Sequence, residues 1–159
     1  MKKTVYISGS ITDPQTNQPR DGWQKGFLEA EAKLRAMGFS VINPIDIARE
    51  VEDAFMWRFR HFGGSCNGFG VPCSPTRTDY IMTCLQRMKM AYDADMLHGV
   101  YIFGKDAEVR QSIGVSMELH MATLLGIPIY VDDPEHASRW VASIKIQNAE
   151  ITELLKESY

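Results

Sequence analysis

The alternation of apolar and polar positions divides the chain into short β-type runs and longer helical stripes. Thr4-Val-Tyr-Ile7 is a compact β-type run that ends in the turn Ser8-Gly-Ser10. Residues 11–20 are polar, carry Pro14 and Pro19, and read as a loop. Asp21 is placed to cap the next helix. Trp23, Phe27, Ala30, Leu34 and Met37 then recur in steps of four, three, four and three, the stripe of an amphipathic helix, and Gly38 stands where such a helix stops. Phe39-Ser-Val-Ile42 is a second strand, closed by Asn43-Pro44. A strand, one helix and a second strand, with a connection long enough for a crossover, predict a parallel sheet.

The second half repeats the alternation after an irregular stretch. Residues 45–56 suit a short helix. Residues 57–78 hold Gly63, Gly64, Gly68, Gly70, Pro72 and Pro75 with Phe59, Phe62 and Phe69 between them, and read as a long loop insertion. From Asp79 to about Ala94, Ile81, Leu85, Met88 and Tyr92 share one helical face. Val100-Tyr-Ile-Phe103 and Ile127-Pro-Ile-Tyr-Val131 are the third and fourth strands, with a helix between them that Gly126 ends. A last helix is expected over about 137–157, where Trp140, Ile144, Ile151 and Leu154 fall on one side. The whole predicts a single α/β domain over 1–159: a flavodoxin-like, doubly wound three-layer sandwich on a four- to five-stranded, mainly parallel sheet. Ligands of such folds sit at the C-terminal ends of the strands. The turns 8–14, 43–47 and 104–114 lie at that edge.

Composition narrows the function classes. With 159 residues, 45% of them hydrophobic, the chain can build one core. A net charge of −3 gives no basic surface for nucleic acid. No apolar run approaches 20 residues, so no membrane span is expected. Met1-Lys-Lys is basic, but the strand-like run that follows is short and lacks a cleavage pattern, so the N-terminus reads as a first β-strand, not a signal peptide. Cys66, Cys73 and Cys84 are an odd, sparse set that suits a reducing cytoplasm. His61, Cys66 and Cys73 match no familiar zinc spacing, and no metal is expected.

The residue that carries most chemistry is Glu118. It follows a small-residue turn (Ser112, Gly114, Ser116) that opens the helix running to about Leu125. Such a turn brings a ligand close to free backbone N–H groups. Helical side chains lean toward the N-terminus, so Glu118 would reach the same mouth. A carboxylate beside an anion-binding turn can hold a phosphorylated sugar and attack it. Each of these residues also has a plain structural use: Glu118 as a helix-opening acid, Tyr6 as core, Gly9 and Gly114 as tight turns, and Ser112 as an N-cap.

Three segments taken together resemble one superfamily: Thr4-Val-Tyr-Ile-Ser-Gly-Ser10, Asp95-Met-Leu-His-Gly-Val-Tyr-Ile102, and Ser112-Ile-Gly-Val-Ser-Met-Glu118 with Gly126-Ile-Pro-Ile129. The chain looks like the nucleoside 2-deoxyribosyltransferases and the related 2′-deoxynucleoside 5′-phosphate N-hydrolases. The resemblance spans most of the chain outside 57–78. It implies cleavage of an N-glycosidic bond by a glutamate that attacks the anomeric carbon, the logic of retaining glycosidases. Glu118 matches that glutamate. Tyr6 matches a strand tyrosine that orients it, and Gly9 and Ser10 match the turn that approaches substrate. At position 112 the transferases commonly carry an aspartate and the nucleotide hydrolases a serine. Ser112 therefore favours a 5′-monophosphate, held with the amides near Gly114 and with charge from Arg20 and Arg110.

One departure stands out. The family usually carries an aspartate, eight positions ahead of the residue matching Asp95, that helps protonate the leaving base; here that position is Arg87. Either another group, such as Asp46 or Asp79, supplies the proton, or the activity is altered or lost. The resemblance also implies a homodimer or larger, and a carboxylate with water requires no cofactor. Three functions stay open: hydrolysis of a (deoxy)nucleoside 5′-monophosphate, base exchange on free nucleosides, and a non-catalytic nucleotide-binding or sensing module.

Overall fold

The structure, a computed structural model, describes residues 3–61, 74–104, 108–109 and 111–131. Its centre is strand β1 (Thr4–Ser8), buried at every position. It pairs in parallel with β2 (Ser40–Ile42) on one side and β3 (Leu97–Ile102) on the other; β3 in turn pairs in parallel with β4 (Ile129–Val131). The sheet order is β2-β1-β3-β4. Tyr6 stands opposite Ile42 and Val100 in this register. Strands covered on both faces read as near-continuous apolar runs, which is why β1 and β3 are legible as strands in the sequence.

The helices cover both faces, giving the α/β three-layer sandwich. α1 (Gln24–Ala36) sends Phe27, Ala30 and Leu34 onto the face of β1 that carries Val5 and Ile7. On the opposite face, α3 (Arg77–Asp93) and α4 (Ile113–Leu124) pack Cys84, Leu85, Met88, Val115 and Leu119 around Tyr6, Val100 and Ile102. α2 (Pro44–His61) lies at the rim and contributes Ile45 to the first core and Ile47 and Val51 to the second. The strand order reverses between β1 and β3, so the ligand crevice of this topology opens where those two strands end.

Several boundaries differ from the sequence reading. The expected loop 57–78 is helical at both ends: α2 continues unbroken to His61, and α3 begins at Arg77, leaving 62–73 outside the described residues. Nothing between Val51 and His61 interrupts a helix, and Arg58, Arg60 and His61 suit the negative end of its dipole. Pro44 opens α2 at the first helical position, and Asn43 caps it by accepting the Ile45 N–H at 3.0 Å. Asp21 does not cap α1; the helix starts at Gln24 with no side-chain cap. α3 instead carries a full capping box between Thr76 and Asp79. α4 begins at Ile113, so Gly114 and Ser116 lie inside its first turn and Glu118 in its second. The helix expected over 137–157, with Phe62 and Phe69, falls outside the described residues. No helix among the described residues is long and apolar enough to cross a membrane.

Candidate active site

Strand periodicity places Tyr6 and Ser8 on one face of β1, both fully buried, while Val5 and Ile7 face the other way. Glu118 comes down from the second turn of α4 to meet them. The Tyr6 hydroxyl donates to Glu118 Oε1 at 2.7 Å, and the Ser8 hydroxyl donates to Oε2 at 2.5 Å. Each carboxylate oxygen thus receives one short, charge-assisted bond. Glu118 is only 7% exposed, and no described lysine, arginine or histidine pairs with it.

That environment sets its acidity. Burial raises the Glu118 pKa from the ordinary 4.5 to about 7, against the opposing pull of the Ser8 and Tyr6 hydrogen bonds. The Tyr6 phenol is held well above its ordinary range, first by burial and then by the charge of Glu118. Cys84, on α3, is pushed up to about 12 by burial and by the same charge, against a contact with the Tyr6 hydroxyl that lowers it. Both neighbours therefore stay protonated while Glu118 alone titrates near neutrality. A carboxyl poised there is placed for proton transfer or for nucleophilic attack.

Glu118 opens onto a cavity of about 550 Å³ at the C-terminal edge of β1. Gly9, Thr12 and Phe27 line one side, Pro44, Ala48 and Glu52 of α2 another, and Arg77, Tyr80, Ile81 and Cys84 of α3 a third. Ser112 and Gly114 line it from the start of α4. Pro44, Ala48 and Glu52 are spaced four apart, and Arg77, Tyr80/Ile81 and Cys84 three or four apart; each set is one face of its helix. The volume lies within the range typical of small-molecule sites.

The residues singled out in the sequence divide into two groups. Glu118 and Tyr6 are bonded to one another, and Gly9, Ser112 and Gly114 line the same cavity. Ser112 also caps α4, its hydroxyl accepting the Val115 N–H at 3.3 Å. Gly9 is needed for a packing reason: a Cβ there would stand 2.5 Å from the Phe103 ring, whereas one at Gly114 would meet nothing closer than 3.8 Å. Ser10, Arg20 and Asp46 do not line the cavity. The Ser10 hydroxyl turns to the Thr12 carbonyl at 3.5 Å, Arg20 pairs with Glu108 at 3.0 Å, and Asp46 is exposed, 3.9 Å from Arg49. Asp79 is occupied by its capping box, and Arg87 pairs with Glu50 on the surface. Arg110 lies outside the described residues.

Ser8, Arg77 and Tyr80 are cavity or carboxylate contacts that the sequence does not single out; Glu52, in the acidic run Glu50-Val-Glu-Asp53 that reads as a solvated face, is exposed and also lines the cavity. Ser8 was accessible to the sequence reading, because it stands two positions from Tyr6 on the same strand. Arg77 fell within the stretch read as loop. It is the cation of the described cavity wall, and its partner is neutral, Nη1 donating to Asn17 Oδ1 at 2.9 Å. Among the described residues no group of three or more His, Cys, Asp or Glu side chains is arranged to hold a metal ion.

A scan against models of known protein families matches none of them to this chain, and a search of curated proteins returns no match.

Proposed function

We propose that the chain is an N-glycosidase that hydrolyses a (deoxy)nucleoside 5′-monophosphate, with Glu118 as nucleophile. The observation that carries this reading is the buried Glu118 carboxylate, gripped by Tyr6 and Ser8 at the edge of a nucleotide-sized cavity. The two hydrogen bonds use one acceptor site on each oxygen and leave others free to attack an anomeric carbon. They also fix the carboxylate in one orientation, which lowers the entropic cost of attack. With its pKa near 7, Glu118 is about half ionised at neutral pH. Loss of its charge on bonding to the sugar relieves the burial penalty, which favours the covalent intermediate.

Arg77 supports the phosphate on the substrate, since a guanidinium whose partner among the described residues is an amide retains donors for an anion. Ser112 and the first turn of α4 offer a hydroxyl and helix-terminal amides nearby. The reading extends to a cytoplasmic enzyme acting as a homo-oligomer, as the family resemblance implies.

The test is release of free base from the four deoxynucleoside monophosphates and from the matching nucleosides. Monophosphates are expected to be cleaved, and Glu118→Ala to lower turnover by at least ~10³-fold. Near-normal turnover by that variant would remove Glu118 as nucleophile. Exchange of a foreign base into a free nucleoside would instead make the chain a deoxyribosyltransferase. Tight binding without base release would make it a nucleotide sensor.

A further inference from the structure

A glycosyl transfer of this kind needs two carboxyl groups, one to attack and one to exchange a proton with the departing base and the incoming water. The position from which the resembling family supplies the second is Arg87, and its side chain turns outward to Glu50. Asp46 lies outside the cavity, and Asp79 Oδ2 accepts both the Thr76 N–H at 2.6 Å and the Thr76 hydroxyl at 2.8 Å. Among the described residues, two acids line the cavity: Glu118 and Glu52. Glu50 and Glu52 are two apart on α2, so they face different ways: the first takes Arg87, and the second continues the row Pro44, Ala48, Glu52 that faces the cavity.

Glu52, an exposed residue of the wall, is held by the neighbouring wall helix. The Tyr80 hydroxyl donates to Glu52 Oε1 at 3.3 Å, and both residues are wall residues. Burial, followed by the charge of Glu52, raises the Tyr80 pKa, so the phenol keeps its proton and continues to donate. The remaining titratable groups of the wall, among the described residues, are poor proton donors. Cys84 is raised to about 12, and an arginine does not deprotonate. Resting on the function proposed above, we infer that Glu52, positioned by Tyr80, is the acid/base carboxyl of this site.

The steps balance. Glu118 forms a bond to the anomeric carbon while the C–N bond breaks, and its electron pair goes to the base nitrogen, which takes the proton of Glu52. Water then bonds to the anomeric carbon while the bond to Glu118 breaks and that pair returns to the carboxylate. The proton lost by water passes to Glu52, which regains its starting form. Tyr80 acts through Glu52 and is a positioning residue.

The experiment compares leaving groups that do and do not need a proton. Base release is measured from a purine deoxynucleotide and from its N7-methyl derivative, whose base departs without protonation. A pyrimidine-preferring enzyme is tested in the same way with uracil against 5-fluorouracil. In a single turnover, Glu52→Gln is expected to slow base release from the natural nucleotide by ~10²–10⁴-fold and from the activated substrate by no more than about threefold, with nucleotide affinity unchanged. Tyr80→Phe should show the same selectivity with a smaller loss. Equal losses on both substrates, or less than about a threefold loss on the natural one, would overturn the assignment. Glu118→Ala is run alongside: it should abolish release from both substrates. If it spares both, the nucleophile reading fails whatever Glu52→Gln does.

Discussion

The two faces of β1 show how one five-residue strand serves a scaffold and a site at once. Val5 and Ile7 point toward α1 into a wholly apolar cluster with Phe27, Ala30 and Leu34. Phe27 sits edge-on to Phe103 at 4.8 Å between ring centroids. One residue along in each case, Tyr6 and Ser8 point the opposite way and hold a carboxylate that has lost its water. The first face is stabilised by burial of hydrocarbon. The second carries a group that is costly to ionise where it lies. The buried carboxyl stands where the strand ends and the crevice begins, and rigidity is supplied from the reverse side.

The largest effect on stability should come from the scaffold face. Phe27 is fully buried and touches both Trp23 and Phe103. Phe27→Ala should cost about 3–5 kcal/mol, read by urea or thermal unfolding. Because Phe27 also lines the cavity, weakened substrate binding should accompany the loss. A cost under about 1 kcal/mol would show that this face is not the stabilising one.

The next effect belongs to the site face and depends on pH. The native pKa of Glu118 lies above its unfolded value, so the native state holds a proton that the unfolded state gives up. Below about pH 4.5 both states are neutral at this group and its contribution is fully present. It is lost as pH rises from about 4.5 through about 7. That displacement corresponds to roughly 3 kcal/mol at 1.36 kcal/mol per pKa unit. Glu118→Gln cannot ionise. Its stability relative to wild type should therefore improve by about that amount across the window and then level off. A difference that stays flat from pH 4 to pH 8 would mean that Glu118 is not in a desolvating site. In the enzyme reading the same ionisation gives the acid limb of the rate profile, with activity falling below about pH 7.

Smaller changes come from the hydroxyls. Removing either donor leaves the buried carboxylate with one bond fewer, a loss of about 1–3 kcal/mol while it is ionised. Tyr6→Phe and Ser8→Ala should each move the acid limb to higher pH, since each lost bond had favoured the charged form. An unmoved limb in both variants would separate the hydroxyls from the titration.

This comparison also explains how much was legible in the sequence. The sheet and the helix between Gly9 and Gly38 could be read because continuous apolar runs and a 3.6-residue stripe are local signals. Glu118, Tyr6, Gly9 and Ser112 could be named as site candidates because a resemblance pointed to them and because strand ends are where ligands bind. The rest depends on which side chain faces which neighbour. Arg20 reads as a free cation near a phosphate until Glu108 is seen beside it. Asp46 and Glu52 are similar acids six residues apart, both exposed, and only the rotation of α2 keeps the first away from the cavity and puts the second on its wall. Ser8 shares a face with Tyr6 by the period of two, but nothing in the sequence says that a carboxylate from residue 118 arrives there. Glycines and prolines at 63–75 made their flanks look irregular, although 57–61 and 77–78 are helical.

The finest prediction contrasts two glycines on the cavity wall. A methyl group at Gly9 would press on Phe103 at 2.5 Å, and that ring is confined on its other side, where a Cβ on Gly26 would also approach to 2.5 Å. The ring can yield toward neither, so Gly9→Ala should cost about 1–3 kcal/mol through overpacking. At Gly114 the nearest atoms, Ile81 Cγ1 and Ser112 Oγ, would be 3.8 and 3.9 Å from a Cβ, which is ordinary contact. The backbone there is helical, and alanine forms helix better than glycine by up to about 1 kcal/mol, less within a first turn. Gly114→Ala should therefore leave the melting temperature unchanged or raise it slightly. If that variant nevertheless weakens binding of deoxynucleoside monophosphates without affecting nucleosides, the methyl group is obstructing the phosphate at the start of α4. If both ligands bind as before, Gly114 is only a wall residue and the phosphate is held from the side of Arg77.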